Sequence, residues 1–167
     1  MVMTQDKSFG FQHISGPWEV IRVDVAAANA VIGVGDMLNM PAAGFPDRAA
    51  AGDNELYGVA LDPAAANSGD TINIALVMPG QVWAIRSDGA TARADVGQAA
   101  DIVVADRDSN TLKSNMELDF SGQGTGTAQL KILGKVDIPG NDFGDTNVVL
   151  KVVVLEHFTA SAAQAGV

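Results

Sequence analysis

The stretch from Glu55 to Arg86, ELYGVALDPAAANSGDTINIALVMPGQVWAIR, constrains the fold of this chain more than any other segment. Between Ile72 and Met78, an aliphatic residue or methionine occupies every second position, which is the period-2 pattern of a half-buried β-strand. Two turn signals, residues 62–70 and Pro79-Gly80, separate three short apolar segments. The segment therefore predicts three consecutive strands that act as scaffold, with no nucleophile, metal cluster or phosphate loop among them.

The rest of the chain continues as short apolar segments between turn residues. Strand patterns cover residues 18–25, 101–105, 129–136 and 147–158, and a weaker one covers 92–96. Short strands at intervals of roughly 8–12 residues, without a helix-period segment of normal length, are typical of sandwiches and barrels. The predicted fold class is therefore all-β: a β-barrel, β-tulip-like or sandwich body with short or no helices and an extended N-terminal arm.

Three regions are expected along the chain. Residues 1–16 lack a clear period and are assigned to the N-terminal arm, residues 17–158 to the β-rich body, and residues 159–167 to a flexible tail of small side chains. The glycine-rich stretch 121–126 is the one place where composition suggests a subdivision of the body. The chain shows no signal-peptide order and no apolar run near the about 20 residues of a membrane span. A soluble protein made in a cytoplasm is expected.

Composition and charge exclude several classes of function. Hydrophobic residues make up 47% of the 167 residues and charged residues only 18%, so the chain is expected to fold rather than to remain disordered. The formal net charge is −10, and Lys and Arg occur singly, so neither nucleic acid nor an anionic membrane is a predicted partner. There is no cysteine, which excludes disulfides and cysteine-ligated metals.

No residue pattern predicts catalysis. His13 and His157 are the two histidines, and neither lies near a nucleophile motif. Asp137, Asp142 and Asp145 fall close together, but in a segment rich in Asp, Asn, Gly and Pro, which turns require on backbone grounds. The chain is therefore interpreted as a protein without enzymatic activity and without a cofactor.

One stretch imitates a calcium loop. Asp106, Asp108 and Asn110 occupy alternate positions, and Glu117 falls at the twelfth place, a spacing that offers oxygen ligands to a hard cation. Thr111 replaces the glycine needed at the sixth place, and the flanking residues read as strands rather than helices. These four residues are weak metal candidates, and a polar hairpin turn is the favoured interpretation.

Two sets of residues are candidates for contacts between proteins. Phe9, Phe11, His13 and Ile14 would let the N-terminal arm dock on a neighbouring subunit; disorder and packing on the chain's own body are the alternatives. The second set, a possible subunit interface, comprises Phe45 in a proline-containing loop and Val149, Val153 and Leu155 in the most apolar strand. A strand that is apolar on both faces is either central within its own subunit or covered by a partner, and both interpretations stay open.

Three local patterns resemble a known group of proteins. The first is the opening WEVIRVDVAAANAVIGVG, followed by Gly35-Asp36-Met37-Leu38. The second is Tyr57-Gly58-Val59-Ala60-Leu61, which leads through Gly69-Asp70 to TINIALVMPGQVWAI. The third is Leu133-Gly134-Lys135-Val136-Asp137, which leads through IPGNDFGDTN to the long apolar strand. Together these patterns, spanning roughly residues 18–158, resemble the decoration, or cement, proteins of tailed-bacteriophage capsids.

The resemblance implies a homotrimer on the outer surface of an icosahedral phage head. Such trimers sit at threefold and quasi-threefold points, contact the major capsid protein, and stabilise the shell against the pressure of packed DNA. The implied localisation is the virion, after synthesis in the bacterial host cytoplasm. Extended terminal arms of such proteins contact the capsid lattice, so the resemblance makes Phe9, Phe11, His13 and Ile14 a capsid-contact arm.

A head-fibre or adhesin-like module that binds a glycan or receptor is the alternative function. It would need exposed aromatic residues, and of the two tryptophans, Trp18 and Trp83, the second lies in a regular strand beside Ile85 and is expected in the core.

Overall fold

The computed structural model describes residues 9–41, 43–121 and 128–158, and within these ranges the chain is nearly all-β. It forms twelve strands: β1 (Gln12–Ser15), β2 (Val20–Asp24), β3 (Met37–Asn39), β4 (Asp47–Arg48), β5 (Leu56–Ala60), β6 (Thr71–Leu76), β7 (Val82–Arg86), β8 (Ala99–Ala100), β9 (Ile102–Val103), β10 (Glu117–Leu118), β11 (Leu130–Lys135) and β12 (Val149–Val154). The all-β prediction is confirmed. No helix among the described residues is long and apolar enough to cross a membrane.

The strands form two five-stranded antiparallel sheets. Sheet 1 has the order β1-β7-β12-β11-β8, and sheet 2 has the order β2-β6-β5-β3-β4. β9 and β10 form a separate antiparallel pair, in which Ile102 lies opposite Leu118. Residues 104–116 connect these two strands. Because β12 pairs with β7 on one side and β11 on the other, the most apolar strand of the sequence is central in its own sheet.

The segment 55–86 forms the three predicted strands, but it divides them between the sheets. β5 and β6 are neighbours in sheet 2, whereas β7 lies in sheet 1 beside β12 and β1. The chain changes sheet in the short connection after β6, which contains Pro79-Gly80. The Pro79-Gly80 turn therefore connects the two sheets and does not join neighbouring strands of one sheet.

A single apolar core lies between the sheets, and we call it the shared core. Sheet 1 contributes buried side chains from β7, β11 and β12, including Trp83, Leu130 and Val152, and sheet 2 contributes Met37 and Val59. Strands from before and after residues 121–126 meet in this core, so the two parts of the chain form one body. Residues 122–127, like 159–167, lie outside the described part of the chain.

A second, smaller cluster lies on the other face of sheet 2, where Ile72 and Ile74 of β6 point away from the shared core. Loops that contain Val25, Ile32 and Ala64 cover it, and we call it the loop-covered cluster. On the opposite face of the same strand, Ala75 belongs to the shared core. The end of β6 is therefore buried on both faces, which the prediction of a half-buried strand did not include.

One strand prediction is wrong. Residues 93–95 form a short 3₁₀ helix, Arg93–Asp95, instead of the weak strand expected over 92–96. The carboxylate of Asp95 accepts a hydrogen bond from the backbone N–H of Ala92 at 2.6 Å, and the Asp95 N–H donates to the Ala92 carbonyl. These local bonds offer the backbone an alternative to a ladder, which is how aspartate favours turns over strands.

Candidate functional site

Two of the four weak metal candidates form ion pairs with separate arginines. Asp106 Oδ1 lies 2.9 Å from Arg48 Nη1, and Glu117 Oε1 lies 2.7 Å from Arg86 Nη2. Among the described residues, no group of three or more His, Cys, Asp or Glu side chains is placed to hold a metal ion. The structure does not bring the predicted ligands together.

Asp108 shows why the segment only imitates a calcium loop. Its Oδ1 accepts hydrogen bonds from the backbone N–H of Thr111 and Asn110, at 2.6 and 2.9 Å, and from the Thr111 hydroxyl at 3.0 Å. The bonds from Thr111, then that from Asn110, lower the pKa of the Asp108 carboxyl because they favour its ionised form. The carboxylate thus caps its own turn, as the hairpin-turn interpretation predicts.

The residues assigned to the arm join the body from position 9 onward. Phe11 is 3% exposed within the shared core, and β1 pairs with β7. The prediction that Phe11 contacts a capsid is therefore wrong, because its side chain is already buried in its own subunit. Phe9 and His13 are half-buried, whereas Ile14 is 41% exposed and remains available to a partner. Residues 1–8 of the predicted arm lie outside the described residues.

The four predicted interface residues do not share one sheet face. On β12, Leu150, Val152 and Val154 point into the shared core, so Val149 and Val153 lie on the opposite, outward face, where both are half-buried. Leu155 follows this strand and is 43% exposed. Phe45 is 49% exposed but precedes β4 of the other sheet.

The outward face of sheet 1 combines apolar side chains with lysines. Val153 is paired with Lys131 of β11, and Lys151 lies between Val149 and Val153 on the same face of β12. Lys151 Nζ lies 3.3 Å from Asp137 in the loop between these strands, and Lys135 Nζ lies 3.3 Å from Asp142. A lysine-bordered apolar surface thus occurs on a chain whose net charge is −10.

Three aromatic rings meet where the chain crosses between the sheets. The ring centroid of His13 lies 4.6 Å from that of Trp18 and 5.3 Å from that of Trp83, in tilted and edge-to-face arrangements. The two indole rings are 6.3 Å apart. Trp83 is 1% exposed, as predicted for a core residue, whereas Trp18 is 49% exposed. We call this group the ring cluster.

The connection that carries Trp18 is fixed by a neighbouring crossover. Gln81 Nε2 donates hydrogen bonds to the carbonyl oxygens of Pro17, at 2.8 Å, and Leu76, at 2.9 Å. Gly16 has φ +100°, and a Cβ added there would lie 2.5 Å from the Gly80 carbonyl oxygen, so only glycine fits this approach. The buried amide and the close backbone contact together position the exposed indole over His13.

Sequence reasoning missed the ring cluster because its members are distant along the chain. His13 was assigned to the arm, Trp18 to the start of a strand and Trp83 to the core, each from its local pattern alone. The usable signal was the scarcity of aromatics, which make up 5% of the chain. The two tryptophans, Trp18 and Trp83, each follow a glycine-containing turn within three residues.

A buried carboxylate, Asp36, lies beside the loop-covered cluster. It is 0% exposed, and its Oδ2 accepts the Gly33 N–H at 2.7 Å. Burial raises the pKa of the Asp36 carboxyl above its ordinary value of 3.8, while the Gly33 bond, the Ser114 hydroxyl and the charges of Arg48 and Arg107 oppose the rise. Asp36 closes the Gly33–Asp36 turn, because its own N–H also donates to the Gly33 carbonyl, and we assign it a structural role.

His157 is a half-buried titratable residue near the end of the described chain. Burial lowers the pKa of its imidazole below the ordinary 6.5, and its Nδ1 has no hydrogen-bond partner among the described residues. Its backbone forms a parallel bridge with Leu56 at the start of β5. This bridge fastens the end of the described chain to β5.

Comparison of the chain with models of protein families, with curated proteins and with solved structures finds no match.

Proposed function

We propose that this chain is a viral structural protein, a capsid decoration or cement protein of a tailed bacteriophage. It binds the outside of the icosahedral head as a homotrimer at threefold and quasi-threefold points, and it stabilises the shell against internal DNA pressure. The three sequence patterns described above and the outward face of sheet 1 support this proposal.

The observation that carries the proposal is a pair of outward-facing valines on β12, one on each side of Lys151. Val149 and Val153 lie there in the middle of a five-stranded sheet. A strand buried on both faces is apolar on both faces, whereas a strand with one solvated face normally alternates with polar residues. The outward valines therefore favour a covering surface, and a second copy of the chain supplies one.

Charge favours a head-to-tail contact between copies. In a threefold ring, one surface of each subunit meets a different surface of the next. The lysine-bordered face, with Lys131 and Lys151, would meet the acidic surface of its neighbour, since the chain as a whole carries a net charge of −10. Opposite charges at the rim of an interface increase the association rate, and this increase becomes smaller as the salt concentration rises.

Light scattering on the purified chain tests the trimer. We expect a mass about three times the 17.2 kDa of one chain. Val153→Glu should shift the protein to monomer, because it places a charge in the apolar contact. Val20→Glu, at a residue 44% exposed on β2 of the other sheet, is the matched control and should leave the trimer intact. A monomer at micromolar concentration in the wild type would contradict the proposal.

Sedimentation with empty phage heads that lack their decoration protein tests capsid binding directly. The wild-type chain should pellet with the heads, and a variant that lacks residues 1–8 should lose attachment if the arm contacts the shell. The deletion must stop before Phe9, since β1 and the Phe11 side chain belong to the body. Equal pelleting by the shortened chain would contradict the arm contact while leaving the decoration role standing.

A second candidate function is a head-fibre or adhesin-like module that binds a glycan or receptor. One observation favours it: Trp18 exposes half of its indole beside His13 and the buried Trp83. Exposed aromatic rings held in place by their neighbours are typical of binding surfaces. Specific hits on a glycan array, combined with failure to pellet with phage heads, would favour this function over decoration.

A further inference from the structure

A cleft of about 220 Å³ opens beside the ring cluster. It is lined by His13, Trp18 and Trp83 together with Phe9, Phe11 and Lys113. Since a water molecule occupies about 30 Å³ in the liquid, the cleft has room for about seven waters, or for one six-membered ring with its substituents. Its size suits a single small chemical group rather than an extended chain.

Two ring nitrogens at this cleft are buried without partners. Trp83 Nε1 and His13 Nε2 have no hydrogen-bond partner among the described residues, and both residues line the cleft. An indole N–H is a donor only, and the imidazole Nε2 donates or accepts according to its tautomer. Both nitrogens have almost no accessible surface, so a ligand in the cleft packs against the rings that carry them and does not bond to these two atoms.

Charge restricts the ligand further. Lys113 is the charged member of the lining, and none of the described residues around the cleft is Asp or Glu. A cation would meet Lys113 without a compensating carboxylate, even though aromatic rings alone attract cations. A ligand rich in acceptors, and one that carries a negative charge, fits this lining better.

Trp18 supplies the third requirement. Half of its indole is exposed, and its ring stays in contact with His13 at the mouth of the cleft. Gln81 fixes the preceding Pro17, so the indole is held in place before a ligand arrives. A flat, immobilised apolar face of this kind packs against the C–H face of a ligand ring at little entropic cost.

We propose that this cleft binds one acidic pyranose residue, such as a uronic acid at the end of a glycan. The C–H face of the sugar packs on the exposed indole of Trp18, and its carboxylate lies near Lys113. The inference gives a ligand class to the glycan-binding candidate and does not depend on capsid decoration.

Titration of the full chain with methyl glucuronide, followed by the two indole N–H signals in NMR, tests the proposal. The Trp18 signal should move as the sugar is added, with a Kd of about 1 mM, which is about 4 kcal/mol of binding free energy. Trp18→Phe identifies which signal belongs to which indole. Methyl glucoside, which has the same ring without the carboxylate, should bind several-fold more weakly.

Variants separate the contribution of the Trp18 indole from that of the Lys113 charge. Trp18→Ala should lower the affinity for methyl glucuronide about tenfold, which is about 1.4 kcal/mol. Phe45→Ala, at an aromatic residue that is also 49% exposed, is the matched control and should leave it unchanged. Lys113→Gln should lower the affinity for methyl glucuronide and leave the affinity for methyl glucoside unchanged.

Three outcomes would overturn the inference. The first is an unmoved Trp18 signal at about 10 mM methyl glucuronide. The second is equal affinity in the wild type and in Trp18→Ala, and the third is tighter binding of methyl glucoside than of the acid. Because these titrations use free sugars and no phage heads, their failure leaves the decoration proposal untouched.

Discussion

The two faces of sheet 2 are covered in different ways. Its inner face meets sheet 1 across the shared core, where apolar side chains such as Val59, Leu130 and Val152 fill the space. Its outer face is covered by loops, and polar side chains that include Asn29 and Asp36 are buried beside the loop-covered cluster. The same sheet therefore has an apolar neighbour on one side and a partly polar one on the other.

Backbone hydrogen bonding explains the difference. In the shared core, the backbone N–H and C=O groups of the facing strands bond to neighbouring strands of the same sheet. The side chains between the sheets therefore need not form hydrogen bonds with the backbone. The covering loops have few ladder bonds, so polar side chains form hydrogen bonds with the backbone groups of these loops instead. Asn29 donates to the Ala65 carbonyl at 2.7 Å and accepts from the Ser68 N–H at 3.0 Å. Arg107 donates to the carbonyls of Ile32 and Ala64, at 2.7 and 3.0 Å.

The largest expected effect lies in the shared core. Leu130→Ala should lower the free energy of unfolding by about 2–5 kcal/mol, because it removes a fully buried side chain and leaves a cavity. Leu133→Ala, on the same strand but 44% exposed, is the matched control and should change it by no more than about 0.5 kcal/mol. Urea denaturation measures both, and equal losses would contradict the placement of the core.

A smaller and local effect is expected in the covering loops. Asn29→Ala should cost about 1–3 kcal/mol, because the Ser68 N–H and the Ala65 carbonyl lose their buried partner. Amide hydrogen exchange should speed up at Ser68 and Gly69 before it does so in the strands. Exposed Asn54→Ala is the control. Unchanged exchange at Ser68 would show that the polar contact does not hold the loops.

The smallest effect is a pH dependence at Asp36. Its folded-state pKa is raised by burial, so the folded protein takes up a proton at a higher pH than the unfolded chain. The wild type should therefore gain stability relative to Asp36→Asn as the pH falls from neutral through the folded pKa, and the gain is complete below the ordinary value of 3.8.

Urea unfolding of both proteins across this pH range measures the difference. Asparagine at position 36 keeps an oxygen that can accept the Gly33 N–H, so the comparison isolates the charge. The contribution of His157, whose lowered pKa acts in the opposite direction as the pH falls, cancels between the two proteins. A stability difference that does not vary with pH would contradict the raised pKa of Asp36.

Strands were predictable where a regular side-chain period ran for five or more residues. β6, β11 and β12 lie within the predicted segments because alternation and β-branched content are local properties of the chain. The 3₁₀ helix at Arg93–Asp95 was missed because a single aspartate side-chain bond outweighed a weak period. The burial of Phe11 was missed because β7, its docking strand, follows about 70 residues later in the sequence.

The candidate sites depend still more on distant contacts. The calcium-like spacing of Asp106, Asp108 and Asn110 is real in the sequence, yet Arg48 holds the first carboxylate and the backbone of the turn holds the second. The ring cluster gave no motif at all, because His13, Trp18 and Trp83 acquire a common environment only when two crossovers meet through Gln81.

The sequence by itself determined that this chain is a β protein with an acidic surface, no thiol chemistry and one strand apolar on both faces. These properties follow from composition and from a period of two, which each strand carries locally. The tertiary structure alone decided that Pro79-Gly80 crosses between sheets, that Phe11 is core, and that a cleft opens beside Trp18. The sheet to which a strand belongs depends on which distant strands bond to its backbone and pack against its side chains. That information is spread over the whole chain.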